Sequence, residues 1–207
     1  MPSVFNSKTM KYTLQQIREV LQKKGYLFFD KNQKAYNLNI IGIRSNNKIS
    51  NSFDDHLYLI YREEQGGELK VHEFPITTDP GAYWLKNPMN VNGTAILVPG
   101  QYRGSHAIGL HQGKYKALKQ KSDLKVWRDN NRDKNIDTGG QVYEGIFGIN
   151  IHRSNASGQS TVVEKWSAGC QVFQKVADFN FFMDICEKSK ELNGNSFTYT
   201  LLEEKDF

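Results

Sequence analysis

The stretch Gly148-Ile149-Asn150-Ile151-His152-Arg153-Ser154 leads through a polar loop into Trp166-Ser167-Ala168-Gly169-Cys170-Gln171. The first segment reads as a strand that ends on a histidine, the second as a small-residue turn that presents a thiol. An imidazole and a thiol joined by a loop are the minimum for a sulfur nucleophile, because the ring takes or shares the thiol proton. His152 and Cys170 are therefore the candidate catalytic pair. Gly169 permits a tight turn with backbone amides close to a reacting carbon, where they can stabilise an oxyanion.

Outward from this stretch the same short, alternating apolar runs recur at 38–43, 56–61, 69–74, 95–98 and 145–151, and they read as strands. Ser45-Asn46-Asn47, Gln65-Gly66-Gly67 and Pro99-Gly100 separate them as turn formers. Strands at short spacing without intervening helices predict a β-rich α+β domain, not an alternating α/β one. Ahead of them, Thr13-Leu14-Gln15-Gln16 has the form of a capping box. Leu14, Ile17 and Leu21 share a helical face and Lys23-Lys24-Gly25 is a stop signal, which predicts a helix over 14–24. The composition shift near residue 30 divides the chain into a helical segment, 1–30, and a main domain, 31–207.

Beyond Cys170, Asp178 caps a second predicted helix with Phe179, Phe182, Met183 and Cys186 on one face, and Asn193-Gly194 ends it. Cys186 is thus expected to be a buried structural thiol. Residues 197–202 alternate as a final strand. The glycine-rich region 100–140 reads as loops or short edge strands, with one helical turn inside 117–125. The run Arg128-Asp129-Asn130-Asn131-Arg132-Asp133 reads as a solvated turn, since the glycine and distal glutamate of a calcium loop are missing.

The chain has 27 Lys+Arg against 22 Asp+Glu, a formal net charge of +5, but the basic residues are scattered, which argues against nucleic acid as a partner and permits an anionic surface or substrate. No run approaches the roughly 18 apolar residues of a membrane span, and residues 1–11 lack a hydrophobic signal core. The expectation is a chain that is cytoplasmic as synthesised. No cofactor is called for. His106, His111 and His152 with Asp129 lack the tight spacing of a metal-ligand set, so no metal is expected. His106 and His111 read as loop histidines beside the site, where Tyr102 and Trp84 line a groove.

His152, fourteen intervening residues and then Ser167-Ala168-Gly169-Cys170 resemble the signature of the L,D-transpeptidase (YkuD-type) family: His, a loop of about that length, then Ser/Thr-His-Gly-Cys. Gly148-Ile149-Asn150-Ile151 is similar to the strand that delivers the family histidine, and Thr78-Asp79-Pro80-Gly81-Ala82-Tyr83 resembles, less closely, the family's Thr-Pro-x-Gly-x-Phe stretch. The resemblance spans residues 36–175, with its last third specific. Ala168 stands where the family has a second histidine, and Gln171-Val172 replaces a hydrophobic residue followed by arginine or asparagine.

The resemblance implies an L,D-transpeptidase-like β-sandwich or barrel, with an N-terminal helix and a C-terminal helix plus final strand. It implies an enzyme acting on peptidoglycan stem peptides through an acyl-thioester, as a transpeptidase or as an L,D-carboxypeptidase or endopeptidase. Cys170 and His152 would be catalytic, and Ser167 and Gly169 would shape the oxyanion turn. Arg153, Ser154, Trp166 and Gln171 would orient the ring or bind substrate, with the Arg153 carbonyl as the family's usual ring-orienting group. Such a chain would reach the wall or periplasm after delivery, by phage lysis or as a component of a virion or secretion apparatus. The alternative is a catalytically degenerate wall-binding or structural module, motivated by Ala168 and Gln171.

Overall fold

The computed structural model describes residues 10–207. The helices are α1 (Leu14–Lys23), α2 (Ala82–Lys86) and α3 (Val176–Asn193). The strands are β1 (Asn39–Arg44), β2 (Asp55–Arg62), β3 (Leu69–Thr77), β4 (Thr94–Leu97), β5 (Gly100–His111), β6 (Tyr115–Gln120), β7 (Leu124–Asp129), β8 (Tyr143–Gly145), β9 (Ile151–Arg153), β10 (Gln171–Phe173) and β11 (Phe197–Glu203). Eight strands close a barrel in the order β1-β11-β5-β6-β9-β10-β3-β2, and β4, β7 and β8 form a separate sheet. The architecture is β-rich α+β. Among the described residues no helix is long and apolar enough to cross a membrane.

Every residue of β1 is buried because both of its faces are covered. Ile40 points into the main core, whereas Ile41 and Ile43 join Tyr58, Ile60 and Leu202 on the opposite face. There α1 covers them with Ile17, Val20 and Leu21, each worth about 1.5–3 kcal/mol of apolar burial. Thr13 and Gln16 form the expected reciprocal capping box at the start of α1. Phe179, Phe182, Met183, Ile185 and Cys186 of α3 pack into the main core, so Cys186 is a buried structural thiol.

The region 100–140 is more ordered than its glycines suggest. β5 is a twelve-residue strand paired with both β11 and β6. Gly104, at φ +59°, sits where the β5–β11 register shifts, and its amide donates to Thr198 Oγ1 at 3.1 Å; the glycine marks a bulge, not a loop. The helical turn expected in 117–125 is absent. Ala117 and Leu118 belong to β6, a short turn follows, and Leu124 opens β7. Arg128 and Asp129 complete β7, and the turn proper begins at residue 130.

The strand expected over 145–151 is also shorter than its pattern. β8 ends at Gly145 and β9 begins at Ile151. The Gln120 side chain takes the place of a partner strand: its Oε1 accepts the amides of Phe147 and Ile149, both at 3.0 Å, and its Nε2 donates to the Gly145 carbonyl at 2.9 Å. One amide side chain thus satisfies three backbone groups that a ladder would otherwise pair.

Inside the barrel, Tyr199 and Gln171 are fully buried and the tyrosine hydroxyl donates to Gln171 Oε1 at 2.7 Å. A Cβ at Gly42 would overlap that hydroxyl. Tyr199→Phe strands the Gln171 acceptor and is expected to lower stability by about 1–3 kcal/mol in urea unfolding. A loss below about 0.5 kcal/mol would show that the bond carries no net weight.

Candidate active site

β9 and β10 run parallel, with Gln171 beside Ile151, Val172 beside His152 and Phe173 beside Arg153. Side chains alternate across a strand, and Ile151 and Phe173 point into the main core while Gln171 meets Tyr199. The opposite parity, Asn150, His152 and Cys170, therefore faces outward. These three line a groove of about 990 Å3 together with His111, Tyr115 and Trp166.

His152 is buried, and its Nδ1–H donates to the Arg153 carbonyl at 2.7 Å. That bond fixes the tautomer and leaves the lone pair on Nε2. The ring stacks on His111, centroids 4.2 Å apart and planes 21° apart. Burial, with the His111 charge as a second cause, pushes the His152 pKa down to about 3. His111 is itself lowered by burial and by Lys119 and Lys114. The Tyr115 hydroxyl donates to the Arg153 carbonyl at 3.4 Å and borders the same ring edge.

The Cys170 thiol donates to the Gly148 carbonyl at 3.3 Å, and its sulfur accepts the Asn150 amide at 3.4 Å. Burial pushes the thiol up to about 11 against the partial relief of that amide. Among the described residues no hydrogen bond joins Sγ to the His152 ring. Cys170 and His152 share the groove, and both rest in their neutral forms. The free lone pair on Nε2 is the position from which His152 could accept a proton.

The turn before the thiol is held by Ser167. Its buried hydroxyl donates to the Cys170 carbonyl at 2.8 Å and accepts the Gly169 amide at 3.1 Å, while its carbonyl accepts the Gly81 amide at 2.8 Å. Gly169 has φ +117°, and a Cβ there would overlap the Ala95 carbonyl, so no other residue fits. Because Ser167 occupies the Gly169 amide, the backbone donor left in this turn is the Cys170 amide, which meets no acceptor among the described residues.

The remaining expected site residues separate. Trp166 stands at the groove rim, 43% exposed. Arg153 lays its guanidinium 4.4 Å over the Tyr115 ring and donates to the Ala156 carbonyl at 2.9 Å. The Ser154 hydroxyl donates to the Gln174 carbonyl at 3.2 Å and leaves ring orientation to the Arg153 carbonyl. Gln171 lies inside the barrel, away from the groove; strand parity with Phe173 would have foretold this. Trp84 and His111 do line the groove. His106 and Tyr102 do not: His106 is fully buried on β5, its Nε2–H donating to the Ile149 carbonyl at 3.0 Å, and the Tyr102 hydroxyl donates to the Val98 carbonyl.

Two neighbours carried no clear sequence signal. Tyr115 and Gln120 come from β6, in the region read as loops, and only the fold brings them to the groove and its back wall. Asn150 was legible in principle, two positions before His152 on the same face. Among the described residues no three His, Cys, Asp or Glu side chains form a group suited to a metal ion. No family model matches the chain, and no curated protein or solved structure matches it.

With the thiol held near 11 and the imidazole neutral down to about 3, iodoacetamide labelling of Cys170 should rise steadily with pH from neutrality upward. Mass spectrometry of the native protein should find Cys170 modified and Cys186 untouched. A rate plateau spanning weakly acid to neutral pH, removed by His152→Ala, would instead reveal a thiolate–imidazolium pair and overturn the neutral resting state.

Proposed function

We propose that the protein is a cysteine enzyme acting on peptidoglycan stem peptides through an acyl-thioester, as an L,D-transpeptidase or L,D-peptidase. The observation that carries this reading is the parallel β9–β10 pair, which turns Cys170 and His152 into one groove with the imidazole oriented by the Arg153 carbonyl. The resemblance of His152 and Ser167-Ala168-Gly169-Cys170 to the L,D-transpeptidase signature supplies the substrate class.

In this mechanism, His152 Nε2 takes the thiol proton as Cys170 Sγ attacks the carbonyl carbon of a stem residue, so proton transfer and C–S bond formation proceed together. The Cys170 amide donates to the resulting oxyanion. Collapse of the tetrahedral intermediate breaks the C–N bond, and the imidazolium returns its proton to the departing amine. An incoming amine or water then attacks the thioester, with His152 again as base, and the thiol is regenerated. An amine acceptor gives a crosslink, and water gives trimming or cleavage. Delivery by phage lysis, or on a virion or secretion apparatus, would bring the enzyme to the wall.

A second reading is a wall-binding module without turnover. The observation favouring it is the thiol's bond to the Gly148 carbonyl in place of the ring. Wall fragments incubated with wild type and Cys170→Ala, with stem peptides read by mass spectrometry, separate the two. Loss of a terminal D-residue, cleaved crosslinks or new crosslinks, each absent with Cys170→Ala, support the enzyme and name its type. His152→Ala should slow the reaction by about 10²–10⁴-fold. Sedimentation with wall fragments and no Cys170-dependent product would leave the module.

A further inference from the structure

A second cavity of about 260 Å3 adjoins the thiol groove. Trp84, Met89, Phe147 and Ala168 line both spaces, and Arg128 lines the second alone. The Arg128 guanidinium lies 5.1 Å from the Phe147 ring centroid, and Nη1 donates to the Gly93 carbonyl at 3.1 Å. Its Nε and Nη2 make no hydrogen bond, and no carboxylate pairs with it among the described residues. By contrast, the partly or fully buried guanidinium groups of Arg44 and Arg62 pair with Asp79 and Asp30.

A partly buried guanidinium without a counter-charge, lining a cavity and with donors left over, can take an anion. Desolvation draws Arg128 below its ordinary pKa, with no carboxylate to offset it. Two free N–H groups on one edge of a planar cation match the two oxygens of a carboxylate. At about 260 Å3 the cavity lies just below the roughly 300–1,000 Å3 that drug-sized ligands occupy, room enough for the end of one residue.

Building on the reading of Cys170 as the acyl-accepting nucleophile, we propose that Arg128 forms a carboxylate-binding subsite that selects acyl substrates carrying a free carboxylate near the reacting carbonyl. Arg153, in the groove itself, has the same kind of contacts, its guanidinium over the Tyr115 ring and one N–H on the Ala156 carbonyl; it is the competing cation that the test must separate from Arg128.

The test measures how well two probes protect Cys170 from iodoacetamide in the full-length protein. The probes are a stem tetrapeptide with free carboxylates and the same peptide with every carboxylate amidated. In wild type the acid should protect at a concentration at least about tenfold lower than the amide, the scale of one charge-assisted bond pair. Arg128→Gln should erase that ratio while leaving the amide's own value unchanged, Arg128→Lys should keep part of it, and Arg153→Gln should keep it whole. Melting curves establish that each variant is folded, and Arg128→Lys carries the comparison if Arg128→Gln is not.

Equal protection by acid and amide, protection by neither, or an acid preference that survives Arg128→Gln or disappears in Arg153→Gln would overturn the subsite. The readout is occupancy, not turnover. Cys170-dependent products from wall fragments with no acid preference would remove the subsite and keep the enzyme; an Arg128-dependent preference without products would do the reverse.

Discussion

Two three-residue strands, β9 and β10, lie side by side in the same direction, and the groove depends on that pairing. In a parallel pair both strands keep one parity, so the residues that fill the barrel determine which residues face out. Ile151, Gln171 and Phe173 are fixed by the core, and His152 and Cys170 are therefore fixed in the groove. So short a parallel ladder holds little by itself. It is extended at both ends by backbone bonds, Gln171 N–H to the Asn150 carbonyl at 2.9 Å and Ser154 N–H to the Phe173 carbonyl at 3.0 Å. Ser167 then locks the turn that precedes the thiol.

The same enclosure sets the electrostatics. Moving a proton from a thiol near 11 to an imidazole near 3 takes roughly 10 kcal/mol before any attraction between the resulting charges is counted. A resting thiolate–imidazolium pair is therefore unfavourable here, and proton transfer coupled to attack on a carbonyl avoids forming it. In the proposed mechanism the charge that appears on the carbonyl oxygen has the Cys170 amide to meet it, whereas a free thiolate has only the Asn150 amide.

Much of the frame was legible because two-residue alternation and helical periodicity are local signals: α1, β1, β2, β3 and β11 fall where the pattern predicts, and α3 departs at its start, where Lys175 is the N-cap and the expected cap Asp178 lies inside the first turn. The misread portion, 100–125, shows how glycines mislead. Gly104 marks a bulge inside a strand, and Gly109 faces the Lys119 side chain across the β5–β6 ladder, where a Cβ would lie 3.0 Å from its Cδ. Loop chemistry and bulge chemistry use the same residue, and only the partner strand tells them apart. At the site, the spacing of His152 and Cys170 was visible in the chain. The stacking of His111 was not, because the end of β5 reaches His152 through the β5–β6–β9 order of the barrel.

Ala168 was visible as a departure from the L,D-transpeptidase signature, but its consequence is spatial. Its small side chain lines the boundary between the thiol groove and the Arg128 cavity. A larger side chain at that position would take up space that alanine leaves open, and in the proposed enzyme that space lets an extended substrate continue past the turn. If the proposed subsite holds, the small side chain at 168 and the guanidinium of Arg128 act together, since Ala168 lines both spaces and leaves the passage between them open to a charged group of the substrate.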